Sequence, residues 1–568
     1  MHTSKILLCL FLGSSNLLFG QNIGSIKGNA ETTFQFLQTD SAIKAYAPAT
    51  KTLINSYINV FYTYNKFKAG ARFESYLPAL QGYPNNFAGN GLGMRYAGYS
   101  DEKLDLTLGH FYDQFGSGMI FRAYENRNLG YDNAMDGIRL AYRPKNGIQI
   151  KAVYGKNRLS FFDGVQNAVG LVRGLDGEIT LNDAIKALNE KALNVTLGAS
   201  FVSKYQKDDN EQYILPENVA SYGGRMAIKY KKWAADFEYV HKENDPSADN
   251  GYIYNTGHGA LANIGYSQKG LGILVSAKSI DNFSYRSDRT QDLQNVLINY
   301  VPSLNRTHTY NLVATLYPYA TQLQGEIAYQ AEVIYTFKRQ KADEMVGGLV
   351  EKLFRGKSPA TFTVNFSTAY GNKKTPVAVD PTDSSRVMYT AIPFVSSGQM
   401  YWQDFNIEYR KKITKKINLA TSYYNITVNN NVAKVTDDAK GLIHTSVAVI
   451  DLAYTINDKH TVRGELQCLI VGKDRYGVKK DKGDWATGLI EWTVSPSWFF
   501  AVMDQFNFGN AIEKDRLHYL IGTIGYIHEA SRFSVSAGRQ RAGLFCVGGV
   551  CRFVPANNGV TFNFTHTF

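Results

Sequence analysis

The chain has few cysteines, prolines and tryptophans, and it lacks long apolar runs and dense charge tracts. Its 568 residues include 4 Cys, 14 Pro and 5 Trp. Beyond residue 20 no apolar run reaches the roughly 20 residues that a transmembrane helix needs, which excludes a helical membrane protein. The 61 Lys and Arg against 49 Asp and Glu give a net charge of +12, spread without a basic tract. Nucleic acid is therefore not expected as a partner.

Tyrosine, phenylalanine and glycine are abundant instead. There are 38 Tyr, 32 Phe and 50 Gly, and the mean hydropathy is −0.26. Tyrosine is favoured where hydrocarbon meets water because its ring has a polar tip. The composition fits a membrane β-barrel, whose strands are only half apolar, and it also fits a large soluble β-domain.

Residues 1–20 have the pattern of an export signal. Lys5 precedes the apolar run 6–12, a second short run covers 17–19, and Gly20 offers a small residue for cleavage. The apolar part is too short to cross a bilayer. We expect a signal peptide at 1–20 and a mature chain of one domain, 21–568.

The last residues of the chain read as a barrel-closing strand. Phe562, Phe564 and Phe568 alternate with short polar residues, so one face of the strand is aromatic and the other is polar. A chain ending on an aromatic residue in such a strand resembles the closing strand of an outer-membrane barrel, which barrel assembly machinery recognises. The alternative is an edge strand of a soluble sandwich.

Alternating segments of roughly nine to twelve residues recur from residue 24 onward, as in transmembrane barrels. One example places Leu104, Leu106 and Leu108 opposite Asp105 and Thr107. Short polar turns alternate with longer connections, which is typical of periplasmic turns and extracellular loops. The fold predicted is all-β: a large transmembrane antiparallel β-barrel of about 22–24 strands.

Inward-facing charges are expected to line the lumen. The alternation places Asp105, Lys151, Arg463 and Glu465 on inward faces. Such charges are usually ion pairs that hold a barrel together. The ten His are scattered, and no catalytic triad, phosphate-binding loop or metal-ligand spacing is present. We expect neither an enzyme nor a cofactor or metal site.

Two stretches have a helical period within the strand pattern. One, on the periplasmic side, includes Leu349 and Phe354, and the other spans residues 293–301 in an external loop. Each is either a helix folded onto the barrel's own rim or into its lumen, or a surface that docks a partner protein.

Several motifs are similar to those of one family of Bacteroidota outer-membrane proteins of unassigned function. They cover 91–96, 109–118, 122–125 and 546–552. The resemblance implies an outer-membrane location in a Gram-negative bacterium of that type and supplies no activity. In these motifs Gly116 and Gly118 permit a tight bend. Four charged residues are expected to form a network where an external loop folds inward: Arg122, Glu125, Arg127 and Asp132.

The functional expectation is a passive channel for polar or anionic solutes. The alternative is a barrel subunit or scaffold of a larger outer-membrane assembly or secretion complex, and an outer-membrane hydrolase is a third class. Expected partners are outer-membrane lipid, the barrel assembly machinery and outer-membrane or periplasmic proteins.

Cys546 and Cys551 are predicted to form a disulfide. In an exported protein this spacing, with two glycines between the cysteines, most often closes a small loop; a free thiol pair and a metal site are the alternatives. Mass spectrometry of protein alkylated at once after oxic growth should find both thiols blocked. Cys468, predicted to face lipid, is the internal control and should be alkylated. Free Cys546 and Cys551 would contradict the pairing.

Overall fold

The computed structural model describes residues 24–292, 295–338, 354, 358–380, 386–434, 441–473, 477, 479, 481, 483–547 and 550–568. The predicted signal peptide and Leu349 lie outside these residues, so both remain predictions.

Strands dominate the described chain. In chain order they are β1 Ser25–Gln38, β2 Thr52–Tyr64, β3 Phe67–Tyr76, β4 Phe87–Ser100, β5 Leu104–Phe111, β6 Asp113–Phe115, β7 Phe121–Ala123, β8 Glu125–Asn126, β9 Tyr131–Asp132, β10 Met135–Tyr142, β11 Ile148–Phe162, β12 Val165–Thr180, β13 Leu193–Tyr205, β14 Asn218–Tyr230, β15 Trp233–Lys242, β16 Gly257–Gln268, β17 Leu271–Asp281, β18 Gly325–Thr336, β19 Thr361–Val379, β20 Val387–Lys412, β21 Ile417–Asn429, β22 Leu442–Thr455, β23 His460–Val471, β24 Trp485–Val494, β25 Trp498–Phe506, β26 His518–His528, β27 Ser531–Gln540, β28 Gly543–Val547, β29 Val550–Val554 and β30 Asn557–Thr567.

A 24-stranded antiparallel sheet forms a closed barrel. Each wall strand pairs with the next wall strand along the chain. The small hairpins β6–β7, β8–β9 and β28–β29 stand outside the sheet, so β5 pairs with β10 and β27 with β30. The ring closes where β30 also pairs with β1. The predicted barrel and its strand number are confirmed.

The closing strand is bonded on both sides. It runs beside β27 from Gln540 to Ser531 and beside β1 from Gln38 to Asn29. Beyond it, Phe568 and Gly28 exchange both backbone hydrogen bonds, at 2.8 and 2.9 Å. The Phe568 ring covers Gly28 so closely that a Cβ there would come within 2.3 Å of it. Glycine at 28 therefore makes room for the terminal ring.

The connections differ between the two ends of the barrel. One end, here the turn end, carries tight turns such as 65–66, 231–232 and 529–530, whereas the other, the loop end, carries the longer connections. Three connections depart from the predicted alternation, and one of them is the long connection 181–192 at the turn end. Residues 163–164 join two long strands by a tight turn at the loop end, and 337–360 is a long connection at the turn end.

The outer surface is apolar, as the alternation predicted. Leu108, Ile150 and Phe366 are exposed on it, while Asp105 and Lys151 face inward. Exposed aromatic side chains form a belt next to the turns at the turn end: Tyr64, Phe67, Tyr142, Tyr230, Trp233, Tyr335, Tyr454, Trp492, Trp498 and Phe568. Aromatic girdles of this kind mark the interfaces of transmembrane barrels.

Helices are short in the described chain. They are α1 Leu181–Ala184, α2 Asn311–Leu316 and α3 Asn430–Ala433. Within the described residues, none has the length and apolar character needed to cross a membrane.

The helical stripe predicted for 293–301 is wrong over its described part, 295–301, which is not helical. Its backbone bonds instead to other segments. Ile298 donates to the carbonyl of Tyr285 and accepts from the amide of Arg122, both at 2.8 Å. Val296, Leu297, Ile298 and Val301 are buried, and Ile298 and Val301 pack in one cluster with Phe115 and Phe121.

Closure by β30 should be required for membrane insertion. Deleting Phe568, or changing Phe564 and Phe568 to Ser, should stop accumulation in the membrane fraction, because an open wall exposes unpaired backbone groups to hydrocarbon at several kcal/mol each. Immunoblots of fractionated cells measure this. Phe553→Ser, an exposed phenylalanine in the β29 hairpin outside the wall, is the control. Normal levels of the truncated protein would contradict the role of β30.

Candidate functional site

Two loop-end connections fold into the barrel and fill much of its lumen. Inner loop 1 is residues 112–134. Inner loop 2 is residues 282–324, of which 293 and 294 lie outside the described residues. Their buried apolar side chains pack against each other and against the inner wall. The candidate site is the lumen around these two loops.

Inner loop 1 bends sharply as it enters. Gly116 and Gly118 have φ of 51° and 97°, in the left-handed region that glycine adopts most easily. This confirms the tight bend predicted there. The bend is anchored to the wall, since the Ser117 amide donates to the Glu238 carboxylate at 2.9 Å.

A buried ionic network ties inner loop 1 to the wall. Arg72 pairs with Glu74 at 2.6 Å and reaches Asp132 and Glu125 on the loop at 2.8 and 2.9 Å. Arg158 pairs with the same Glu74 at 2.7 Å and with Asp132 at 2.8 Å. All three wall residues are buried. The two guanidiniums are thus compensated by shared carboxylates.

The network includes three of the four loop residues expected to form one. Arg127 extends it by pairing with Glu125 at 3.0 Å and with Glu31 on β1 at 2.7 Å. Arg122 is not among these pairs. Its guanidinium lies between the rings of Tyr124 and Tyr300, 4.3 and 4.1 Å from their centroids. This stacking links the two inner loops.

Inner loop 2 crosses the lumen to the far wall. His308 contacts Asp404 on β20 at 2.9 Å, and the Leu312 amide donates to Gln467 on β23 at 3.0 Å. Around α2 a cluster of buried loop side chains packs on apolar inner-wall side chains of β20–β24. The loop is therefore packed into the barrel.

The crossing segment, 303–320, leaves the wall and returns at one point. The Lys278 ammonium donates to the Pro302 carbonyl at 2.6 Å and to the Thr321 hydroxyl at 2.9 Å. It also pairs with Glu326 at 2.8 Å. Because residues 302 and 321 meet at one ammonium, the segment between them is a closed loop with a narrow neck.

Two cavities lie on the two sides of this segment. The turn-side cavity, about 500 Å³, is lined by Thr309 and Tyr310 and by residues near the turn ends of β20–β23. The loop-side cavity, about 390 Å³, is lined by Asn311 and Thr315 and by residues at the loop end. Consecutive residues of inner loop 2 thus separate one cavity from the other.

The four predicted lumen charges all face inward and are all paired. Asp105 contacts Lys68 at 2.8 Å, and Lys151 contacts Asp113 of inner loop 1 at 2.9 Å. Arg463 contacts three carboxylates: Glu465, Asp451 and Glu491. The positive charges of Lys151 and Arg463 are therefore largely compensated by neighbouring carboxylates.

The partner-docking candidate Phe354 lies at the turn end, and the two cysteines of the predicted disulfide lie in a hairpin at the loop end. Phe354 packs on Phe337 and Phe362 at the turn end, so it contacts the barrel's own wall. In the β28–β29 hairpin the backbone pairs Cys546 opposite Cys551. Opposed residues have Cα atoms roughly 4.5–5.5 Å apart, within disulfide range. The disulfide itself stays a prediction. Cys468 is exposed on the outer surface.

Sequence reasoning missed the contact face for inner loop 2. The inward face of β23 is polar at Arg463 and Gln467 but apolar at Leu469 and Val471, which are buried. One sequence signal for this contact was present. In the run 469–471 the alternation of apolar and polar residues stops and all residues are apolar, as in strands that are buried on both faces. The wall charges Glu74 and Arg158 gave no sequence signal, because their partner Asp132 is brought in only by a folded loop.

Metal chemistry has no site among the described residues, where no cluster of three or more His, Cys, Asp and Glu has a geometry suited to an ion. In the connection between β15 and β16, Asp245 pairs with Lys204 at 2.6 Å and Asp249 with Arg286 at 2.5 Å.

Comparisons with known proteins find one matching family and several solved structures that are distantly similar to this chain. The model of a family described as "Family of unknown function (DUF6029)" matches residues 1–568. No curated protein matches the chain. Among solved structures, the siderophore receptor PirA from Pseudomonas aeruginosa aligns with a TM-score of 0.41 and 8% identity over 96% of this chain and 80% of its own. The opdK protein of the same species gives 0.34 and 11% over 84% and 99%. The Escherichia coli transporter YddB gives 0.39 and 8% over 95% and 81%.

The shared carboxylate of the ionic network should be important for stability. Glu74→Gln leaves two buried guanidiniums short of one negative charge, which should cost about 3–5 kcal/mol of unfolding free energy. Urea unfolding in detergent, followed by tryptophan fluorescence, measures this. The control is Glu178→Gln, which changes a half-exposed carboxylate. Its partner Arg225 retains a second ion pair, with Asp176, so the loss of unfolding free energy should stay below about 1 kcal/mol. Equal stability of both variants would contradict the network's role.

Proposed function

The chain belongs to the DUF6029 family of unknown function, and we propose that it is a gated outer-membrane channel for polar or anionic solutes. The observation that carries the proposal is the pair of polar cavities on either side of the segment 303–320. Solute passes when this segment moves aside. The role that we propose is the transport of solutes and not the catalysis of a reaction.

The wall supports a membrane location. A closed ladder leaves no strand edge, which is what hydrocarbon requires of a β-structure. The outer surface carries aliphatic side chains and an aromatic belt at the turn end. In this proposal the turn end faces the periplasm and the loop end the exterior. The chain is exported by the predicted signal peptide at 1–20 in a Gram-negative, Bacteroidota-type cell.

A barrel of this width has a lumen that must be plugged or left open to water. Twenty-four strands enclose more space than inward side chains occupy, and the largest barrels carry plugged lumens. Here the chain's own two inner loops occupy the lumen. Inner loop 1 is held by ion pairs that share buried guanidiniums. The segment 303–320 begins and ends at one neck, and between its ends Arg306 and His308 pair with wall carboxylates. In this proposal the segment moves about the neck when those pairs open.

The preference for anions rests on the turn-side cavity. Four basic residues line it, Arg410, Lys411, Lys412 and Arg463, against the single carboxylate of Asp451. Lining of one sign raises the local concentration of counter-ions. Since Arg410 pairs with Glu408 and Arg463 pairs with three carboxylates, the selectivity we expect is moderate.

The second candidate function is a scaffold in a larger outer-membrane assembly. Strands β19 and β20 extend well past their neighbours at the loop end, and Val377 and Ile392 in this extension are each 66% exposed. Exposed apolar side chains on a projecting hairpin suit contact with another protein.

Removing the segment 303–320 should open the channel. Because residues 302 and 321 share the Lys278 contact, a short Gly-Ser linker can join them. In planar bilayers the native protein should conduct little, and the excised variant should conduct at least about tenfold more, with a reversal potential on the anion side under a salt gradient.

The control places the same linker over residues 209–213, in the external connection between β13 and β14, and should behave like the native protein. A folded excised variant that stays silent would contradict the channel. Stoichiometric co-purifying proteins, lost on changing Val377 and Ile392 to Ser, would then favour the scaffold.

A further inference from the structure

The loop-side cavity contains an unusual set of polar groups. Its lining combines two arginines, Arg541 and Arg552, with side-chain amides from the wall and both inner loops. None of its lining residues is acidic. The amides come from distant parts of the chain: Gln35, Gln81, Asn128, Asn311, Gln505, Gln540 and Asn557.

Arg541 is buried beside this cavity without an ion pair in the described chain. Its guanidinium donates to Gln505 at 3.0 Å, to the Ala542 carbonyl at 3.1 Å and to the Thr315 hydroxyl, all neutral groups. Burial lowers its pKa to about 10, opposed mainly by Tyr519 and Tyr317 and then by Asp481. A buried cation whose partners are all neutral lacks a compensating negative charge, so an anion that binds beside it is stabilised.

Arg552 is also uncompensated. Its charged end lies 5.5 Å from the centre of the Tyr83 ring, and within the described residues its Nε has no hydrogen-bond acceptor although it is buried. Burial lowers its pKa as well. By contrast, Arg539, two residues before Arg541, pairs with Asp40 at 2.7 Å.

Two amide oxygens at this cavity are equally unsatisfied. Gln35 Oε1 and Gln81 Oε1 are buried and have no donor among the described residues. Buried polar atoms are nearly always hydrogen-bonded, and exceptions need an explanation. An orphan guanidinium N–H and two orphan oxygens in one cavity call for a ligand with both an anionic group and hydroxyl groups.

We propose that the loop-side cavity binds a small hydroxylated organic carboxylate, with the carboxylate held by Arg541 and Arg552 and the hydroxyls by the surrounding amides. Guanidinium groups match a carboxylate through paired N–H donors. The volume of about 390 Å³ suits a single small ligand. This deepens the proposed function, on which it rests, by naming the solute class that the channel would take up from the loop end.

The test uses D-glucuronate as the probe and D-glucose as its neutral counterpart. Isothermal titration calorimetry on detergent-solubilised full-length protein should show glucuronate binding, with glucose at least about tenfold weaker. Arg552→Gln should raise the Kd for glucuronate at least about tenfold, because a charge-assisted hydrogen bond is lost. Arg552 has no ion pair among the described residues, so this variant should fold normally.

The matched control is Arg539→Gln, which makes the same charge change at the same rim but removes a cation already paired with Asp40, and its Kd should be unchanged. Gln81→Leu tests the hydroxyl contacts separately, and it should raise the Kd for glucuronate several-fold. Equal Kd values for native protein and Arg552→Gln, or equal binding of glucose, would overturn the site.

The two proposals fail separately. Binding lost in Arg552→Gln, together with a silent 303–320 excision variant, would keep the site and refute the channel. Conductance without glucuronate binding would keep the channel and refute the site.

Discussion

Every strand of the wall must exchange its backbone hydrogen bonds with two neighbours, and the rest of the structure depends on this requirement. The ladder has to close on itself, so the C-terminal strand must meet the first strand in register. Glycine at 28 beneath the Phe568 ring is one local consequence. Closure with 24 strands then creates a lumen wider than inward side chains can fill.

That width explains the two inner loops. A loop inside a barrel brings polar backbone and charged side chains with it, so each must find a partner on the wall. Glu74 and Arg158 on the wall are matched to Asp132 on inner loop 1. Gln467 on the wall accepts from the backbone of inner loop 2. The polar inner face is therefore partly a binding surface for the chain's own loops.

The two inner loops differ in how they are attached. Inner loop 1 is fixed by shared carboxylates, whose separation from buried guanidiniums is costly. Inner loop 2 is held by apolar packing around α2, by the pairs of Arg306 and His308 with wall carboxylates and by a neck at Lys278. Three of the unsatisfied polar atoms of the described chain lie together at the loop-side cavity: Gln35 Oε1, Gln81 Oε1 and Arg552 Nε.

The wall was predictable from the sequence because a strand's two faces follow from residue parity alone. Leu108 outward, Asp105 inward and the aromatic face of β30 all follow from a period of two. The strand number followed from counting turns, although the tight turn at 163–164 and the long connection at 337–360 departed from the expected alternation. The stripe at 293–301 predicts a helix, but its described part, 295–301, is irregular, because buried irregular backbone can show helical spacing by chance.

By itself, the sequence determined the barrel, its outward face and the inward direction of Asp105, Lys151, Arg463 and Glu465, since these depend on local periodicity. Only the tertiary structure decided that two loops fold into the lumen, that those charges are compensated, and that Arg541 and Arg552 share a cavity without an acidic lining residue. The physical reason is that contacts between a loop and a distant wall strand depend on chain closure. No periodic pattern encodes which residues closure will bring together.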